Sequence, residues 1–431
     1  MASKDGGPKR VIWVYATLSA NIALGPIGTF VQLYLLGLYG SQAGTPYAVL
    51  AVAAFNAVSI PSALIWGVAT DRLHTRKVMV TASYLLTAFL LLSFLLTKTA
   101  SGVIAVYSLV SLISSATATP LNLLIMETEP KSNWANGFAR LSLVSSVGVM
   151  LGFVLSSIWA QYLPEQWLVV PLASLSLVST VMSVILLPEP RFIFEREAIE
   201  MRRPLFQRLI VSPFFFLKLP TFYDFRSIFK GLRNELTSYV PMLYISLIFF
   251  YFGTGIFNAA FVPSLSYHSL SESDVYAISV VAMIAQILAF RYAGKLLTGD
   301  RSLAKVATQS VAIRGACYAL LGVAFVILPG ALFLLPSLAL YTLAAGVCYG
   351  IYYTASNTMV FNSISGRNHG SWLGVYSAVV GIATTAGSLF SLFTTVYLGF
   401  DVTFVLSGAL LGASAWITMR IARGGNQTQM G

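Results

Sequence analysis

Between Val11 and Thr70 the chain carries no charged side chain. Nine further long runs of the same kind follow, at 78–97, 99–126, 141–164, 166–188, 236–271, 275–290, 315–366, 368–400 and 402–419. A helix needs about 20 mostly apolar residues to cross the ~30 Å hydrocarbon core of a bilayer at a rise of about 1.5 Å per residue. Two of the runs, 11–70 and 315–366, hold two such lengths each, divided by the turn signals YGSQAGTP and LPGALF. The reading is an all-α membrane protein of twelve transmembrane helices. The segments of a β-barrel, about 10 residues long, would alternate in polarity, and these runs do not. Composition agrees, with 10% of residues charged and 57% hydrophobic, against about 25% charged in a soluble domain.

The basic N-terminus MASKDGGPKR leads into an apolar stretch too long for a signal-peptide core, so it reads as the uncleaved start of the first helix. Cys317 and Cys348, the two cysteines, both fall in apolar spans and give neither a disulfide framework nor a metal cluster. No catalytic constellation, metal site or cofactor is expected, and no Gly-x-x-x-x-Gly-Lys-Ser/Thr loop for nucleotide occurs. The net charge of +11 is explained by position. With the N-terminus cytoplasmic and sides alternating through twelve spans, 24 of the 26 Lys and Arg fall on inner segments, as the positive-inside rule requires. Lys98 falls outside and Arg314 falls within span nine. These charges serve topology and anionic lipid, and nucleic acid is not needed as a partner. The expected location is the cell membrane, multi-pass, with both termini cytoplasmic.

The long polar segment 189–238 divides the chain into halves, 1–188 and 239–431, of six spans each. Within it, DFRSIFKGLRNELTSY puts Phe225, Ile228, Phe229, Leu232 and Leu236 on one helical face and the basic residues off it, the pattern of a helix lying in the inner headgroup region. The halves echo each other. Gly137 and Gly148 open span five as Gly370 and Gly381 open span eleven, and Gly28 and Gly67 precede Gly255 and Gly294 by the same 227 positions. Internal repeats of this size are a property of secondary transporters.

Between spans two and three lies GVATDRLHTRK, with an Asp, two Arg and a Lys in seven positions. An acid at the inner end of a helix can face the exposed N–H groups that start a neighbouring helix. The basic residues can pair with Glu127 or Glu129 at the end of span four. Gly67, Asp71, Arg72, Arg76 and Lys77 resemble the loop signature of the major facilitator superfamily, although His74 stands where a second glycine is usual. GKLLTGDR, Gly294 to Arg301, is a looser second-half counterpart. The resemblance covers almost the whole chain. It implies two pseudo-symmetric six-helix bundles and a conformational switch in which Asp71 holds the halves together near Ser371 when the protein opens outward. Glu127 and Arg140 complete the expected inner-surface ionic set.

A substrate is expected near the midplane, on helices interrupted at corresponding positions of the two halves. Span one has Gly25, Pro26 and Gly28 between Asn21 and Gln32; span seven has Gly253, Gly255, Asn258 and Pro263. Close packing at glycine is the competing reason for such residues. Asn56 and Gln286 are further polar candidates, and Tyr349, Tyr352 and Tyr353 share a face of span ten. Tyr349 and Tyr353 either line the cavity or mark an interface. Arg314 either meets an anionic substrate group or is satisfied by carbonyls of a neighbouring helix. No Asp or Glu lies near a midplane, and span five has Gly148-x-x-x-Gly152-Phe153 where the family's drug–proton antiporters have Gly-Pro. The expected function is secondary active transport of a small organic solute by alternating access, with or without a coupling ion, by a monomer among membrane lipids. The alternatives are an exporter of lipophilic compounds or drugs, and a non-transporting receptor or scaffold. An enzyme is not expected.

Overall fold

In the computed structural model the described residues are 8–73, 76–129, 134–188, 240–297, 303–363 and 369–428. They contain twelve helices long and apolar enough to cross a membrane. The first six are α1 (Ile12–Tyr39), α2 (Ser41–Ala63), α3 (Arg76–Leu96), α4 (Ala100–Ile125), α5 (Gly137–Tyr162) and α6 (Glu165–Leu186). The second six are α7 (Val240–Tyr267), α8 (Glu272–Ala293), α9 (Leu303–Ile327), α10 (Gly330–Val360), α11 (Ala378–Tyr397) and α12 (Gly399–Arg423). Helices are what these sequences must form, because in hydrocarbon every backbone N–H and C=O has to be satisfied within its own segment. The proposed interfacial helix and the loop 189–238 lie outside the described residues.

Odd-to-even connections are short and lie on the face opposite the N-terminus, here called the far face. Gly40 (φ 80°) joins α1 to α2 and Gly399 (φ 91°) joins α11 to α12. Both occupy the left-handed region that a Cβ disfavours. The C-terminal ends of α2, α4, α6, α8 and α10 lie on the N-terminal face.

The packing of the first six helices reappears in the second six. α1 packs on α5 and α6, and α3 on α6; six helices on, α7 packs on α11 and α12, and α9 on α12. Between the bundles α2 lies against α11 and α5 against α8, a pair of contacts that exchange under the same relation. Side chains repeat it. The Ser19 hydroxyl of α1 lies 2.6 Å from that of Ser179 in α6. Ser246, 227 positions after Ser19, lies 3.0 Å from Ser414 and 2.7 Å from Thr418 in α12. The two bundles are copies of one unit facing each other across α2, α5, α8 and α11.

Glycine lets the backbones come this close. A Cβ on Gly148 would stand 2.7 Å from Asn21 Cβ and 2.8 Å from the Leu18 carbonyl oxygen, and one on Gly152 would meet the Ile22 carbonyl oxygen. In the second bundle a Cβ on Gly255 would meet the Thr384 carbonyl oxygen of α11, and one on Gly253 would stand 2.6 Å from Leu411 of α12. These are the small-residue contacts that bind membrane helices in the absence of a hydrophobic drive between them.

Candidate functional site

Two helices depart from regular α geometry. α1 opens as a 3₁₀ turn, runs as an α-helix over Leu18–Leu24, and restarts at Ile27–Tyr39 after Gly25 and Pro26. Pro26 has no N–H to give the Ile22 carbonyl, and Gly152 of α5 lies against that oxygen. α10 carries a π-helical turn at Thr342–Cys348 between α segments Leu334–Tyr341 and Tyr349–Ser363. Single π turns inside α-helices concentrate at functional sites. The expected interruption of span seven is absent: the helix runs unbroken through Val240–Tyr267. Pro263 falls four residues from its end, and Gly253 and Gly255 serve close packing.

Both irregularities lie at the divide between two cavities. The larger, of about 460 Å³, is walled by Asn21, Asn122, Ser142 and Ser146 of the first bundle and by Gln286, Tyr349 and Tyr353 of the second. The smaller, of about 240 Å³, is lined by Gly28, Gln32, Tyr107 and Phe153 from one bundle and Asn258 and Tyr341 from the other. Leu24 lines the larger and Gly25 the smaller; Tyr349 lines the larger and Ala345 the smaller. The larger cavity lies toward the N-terminal face, since Gln286 and Tyr353 stand near the ends of α8 and α10 on that side. Its size falls within the 300–1,000 Å³ typical of small-molecule sites, and among the described residues no charged side chain lines it.

Of the sequence candidates, Asn21, Gln286, Tyr349 and Tyr353 meet in the larger cavity, and Gln32 and Asn258 in the smaller. The Asn21 Nδ2 donates to the Thr17 carbonyl at 2.7 Å, which fixes the amide within its own helix. The Gln32 Nε2 donates to the Gly28 carbonyl at 3.2 Å, while its Oε1 is buried with no hydrogen bond among the described residues. Asn56 lines neither cavity. Its Nδ2 donates across the bundle boundary to the Ser388 hydroxyl of α11 at 3.2 Å. The aromatic face of span ten divides, for Tyr352 is buried in the second bundle with its ring 3.9 Å from that of Phe250.

Arg314 lines neither cavity either. It is 2% exposed, and its Nε and Nη2 both donate to the Tyr318 hydroxyl, at 2.9 and 2.7 Å. The guanidinium carbon lies 5.0 Å from the ring centres of Phe250 and Tyr349. Neither sequence alternative describes this. The charge is dispersed over aromatic faces, a contact stronger when desolvated, and one of those faces, Tyr349, belongs to the cavity wall.

On the N-terminal face Gly67, Asp71 and Arg72 fall in the last turns of the helix Ser41–Leu73 that contains α2. The side chains of Asp71 and Arg72, and that of Ser371, lie outside the described residues, as do His74 and Thr75. Arg76 forms an ion pair with Glu127. Both partners belong to the first bundle, so this pair braces α3 against α4 and does not itself tie the halves together. Lys77 is half-buried and Arg140 exposed.

The far face is different, because hydrogen bonds there cross between the bundles. The Ser157 hydroxyl of α5 lies 3.1 Å from that of Ser273 in the first turn of α8, and Gln161 Nε2 donates to the same Ser273 hydroxyl at 3.1 Å. The Ser41 hydroxyl donates to the Ser266 carbonyl at 3.4 Å. Sequence reasoning passed over these residues, and also over Asn122 and the Ser142–Ser145–Ser146 face. The serines had a signal, for positions i, i+3 and i+4 share one side of a helix.

A sequence model described as Major Facilitator Superfamily matches residues 13–324. The chain belongs to the major facilitator superfamily. Among solved structures, a peptide transporter POT in complex with sulfate has a TM-score of 0.72 at 12% identity, over 98% of this chain and 96% of that one. A POT family transporter in complex with 5-aminolevulinic acid has a TM-score of 0.70 at 11% identity, over 98% of each chain. The nucleoside transporter NupG has a TM-score of 0.66 at 12% identity, over 96% of this chain and 99% of that one. At such identities the likeness is one of fold. No curated protein matches the sequence. As a member of the superfamily the chain is a multi-pass membrane transporter.

Proposed function

We propose that this superfamily member is a secondary active transporter that moves a small, uncharged, hydrogen-bonding organic solute across the cell membrane by alternating access. The supporting observation is the larger cavity. It lies between the two bundles and draws its wall from both, so that rocking one bundle on the other changes which side reaches it. The N-terminal face is the cytoplasmic one in this reading, because it carries the Lys and Arg excess. The far-face hydrogen bonds are the outer gate, and the Asp71 turn is the inner switch. The protein works as a monomer, with domains 1–188 and 239–431 joined by the cytoplasmic segment 189–238.

The lining favours this solute class over lipophilic drugs. Amides at Asn21, Asn122 and Gln286, hydroxyls at Ser142 and Ser146, and the rings of Tyr349 and Tyr353 offer hydrogen bonds and stacking surfaces and, among the described residues, no counter-charge. Arg314 acts behind the wall, holding Tyr349 through its cation–π contact.

A thermal-shift screen of uncharged polar metabolites on the purified protein tests the reading. A binder should raise the melting temperature in proportion to its differential affinity for the folded state. Asn21→Ala and Gln286→Ala should each weaken that binder by about tenfold, the value of roughly one hydrogen bond of 0.5–1.5 kcal/mol. Unchanged affinity in both variants would place the solute elsewhere.

A further inference from the structure

Glu165 is the residue that neither the cavities nor the inner switch account for. It opens α6 at the far face and is only 8% exposed. Its surroundings come from both bundles. The Tyr276 hydroxyl of α8, itself fully buried, donates to Glu165 Oε1 at 3.1 Å. The Tyr276 ring centre lies 6.5 Å from that of Phe153, which lines the smaller cavity. No basic side chain pairs with Glu165 among the described residues. The other titratable groups around it are Glu272, one helical turn before Tyr276 on α8, and Tyr34 of α1, whose hydroxyl proton is given to the Thr97 carbonyl at 3.0 Å.

We infer that Glu165 is a proton-binding latch of the outer gate: the carboxyl carries a proton when the bundles meet at the far face and releases it to water when they part. This rests on the alternating-access reading and makes its outer gate respond to pH on the far side. A carboxylate sealed away from water with no cationic partner is costly, and the neutral acid removes that cost. The hydrogen bond from Tyr276 reaches across the bundle boundary, so it exists only while the outer ends are together. When they separate, the Glu165 O–H bond breaks, its proton passes to a water molecule, and the carboxylate left behind is hydrated. Closure reverses each step.

The sign follows from linkage. A group that binds its proton more tightly in the closed state favours closure as pH falls, and the closed-to-open ratio changes by up to about tenfold per pH unit between the group's two proton affinities. Acid on the far side therefore drives the outer gate shut.

The test places spin labels on the full chain at Leu96, 85% exposed at the end of α3, and at Leu332, 58% exposed at the start of α10. Distance distributions between them are recorded from about pH 5 to about pH 9, where a buried carboxyl would titrate. The unaltered gate should shift from a short to a long distance as pH rises. E165Q, which keeps an oxygen for Tyr276 to donate to but cannot titrate, should lose that component. The readout is the difference between the two profiles, because Glu272 and His268 are present in both. His268, between α7 and α8, has its proton affinity lowered by burial, opposed by a hydrogen bond with the Phe325 backbone. Y276F is a second variant, needed if E165Q does not fold. It removes a hydrogen bond that favours the ionised carboxylate, so the response should move toward higher pH. Superimposed profiles for the unaltered chain and E165Q, or for the unaltered chain and Y276F where only that variant folds, would overturn the latch. If two distances are present at all pH values in unchanged proportion, the latch fails and alternating access stands. A single distance at every pH would count against both.

Discussion

Cysteines placed at Ser157 and Ser273 are expected to stop transport when oxidised and to release it when reduced. The two hydroxyls lie 3.1 Å apart, one on α5 and the other on α8. That separation suits the ~3.8 Å between Cβ atoms that a disulfide requires. The native cysteines, Cys317 and Cys348, are both buried and do not compete for the bond. A covalent link at this point fixes the outer gate shut while leaving the larger cavity and its lining untouched. Flux of the solute found by thermal shift should fall at least about a hundredfold, equivalent to ~2.7 kcal/mol or more in barrier. Binding from the N-terminal side should persist. A linked protein that still transports would mean that the bundles do not need to part on this face.

The second large effect concerns the contact on which the first bundle is built. Gly152 lies against the Ile22 carbonyl released by Pro26, and a Cβ there would also stand 2.9 Å from Pro26 Cδ. Neither obstacle is the free end of a flexible side chain. Gly152→Leu therefore has to push α5 away from α1, where ordinary overpacking already costs about 1–3 kcal/mol. The expected loss is ~3 kcal/mol or more, read as a collapse in folded yield on size exclusion and a lower melting temperature. Gly37→Ala is the control, since nothing lies within 4 Å of its would-be Cβ. Equal behaviour of the two variants would mean that α1 and α5 do not depend on this approach.

Spans were legible because the bilayer imposes both a length and an aversion to charge. The run 78–97 became α3 (Arg76–Leu96), and 166–188 became α6 (Glu165–Leu186). The halves were legible too, since Gly28 and Gly255 keep one offset and each packs within its own bundle. What glycine and proline do locally was not. The same residue types break α1 and leave α7 whole, because Pro26 falls mid-helix and Pro263 near the end. Side-chain direction was the other limit. Asn56 bridges bundles, Tyr352 turns into the core, and Arg314 sits behind Tyr349, outcomes set by the rotation of each helix against its neighbours. Glu165 separates the apolar runs 141–164 and 166–188, and nothing in the sequence singles it out. Its burial follows from the packing of α5 against α8, which brings Tyr276 to its carboxyl.

Ser145 lines the larger cavity from α5, and a cysteine there reports which side of the membrane the cavity faces. It should be labelled with a membrane-impermeant thiol reagent in oriented vesicles, with and without the Ser157–Ser273 cross-link. Reagent on the N-terminal side should react in both cases, whereas reagent on the far side should react only when the cross-link is reduced. Reaction from the far side through an intact cross-link, or from neither side, would contradict a single central cavity opened in turn to the two faces.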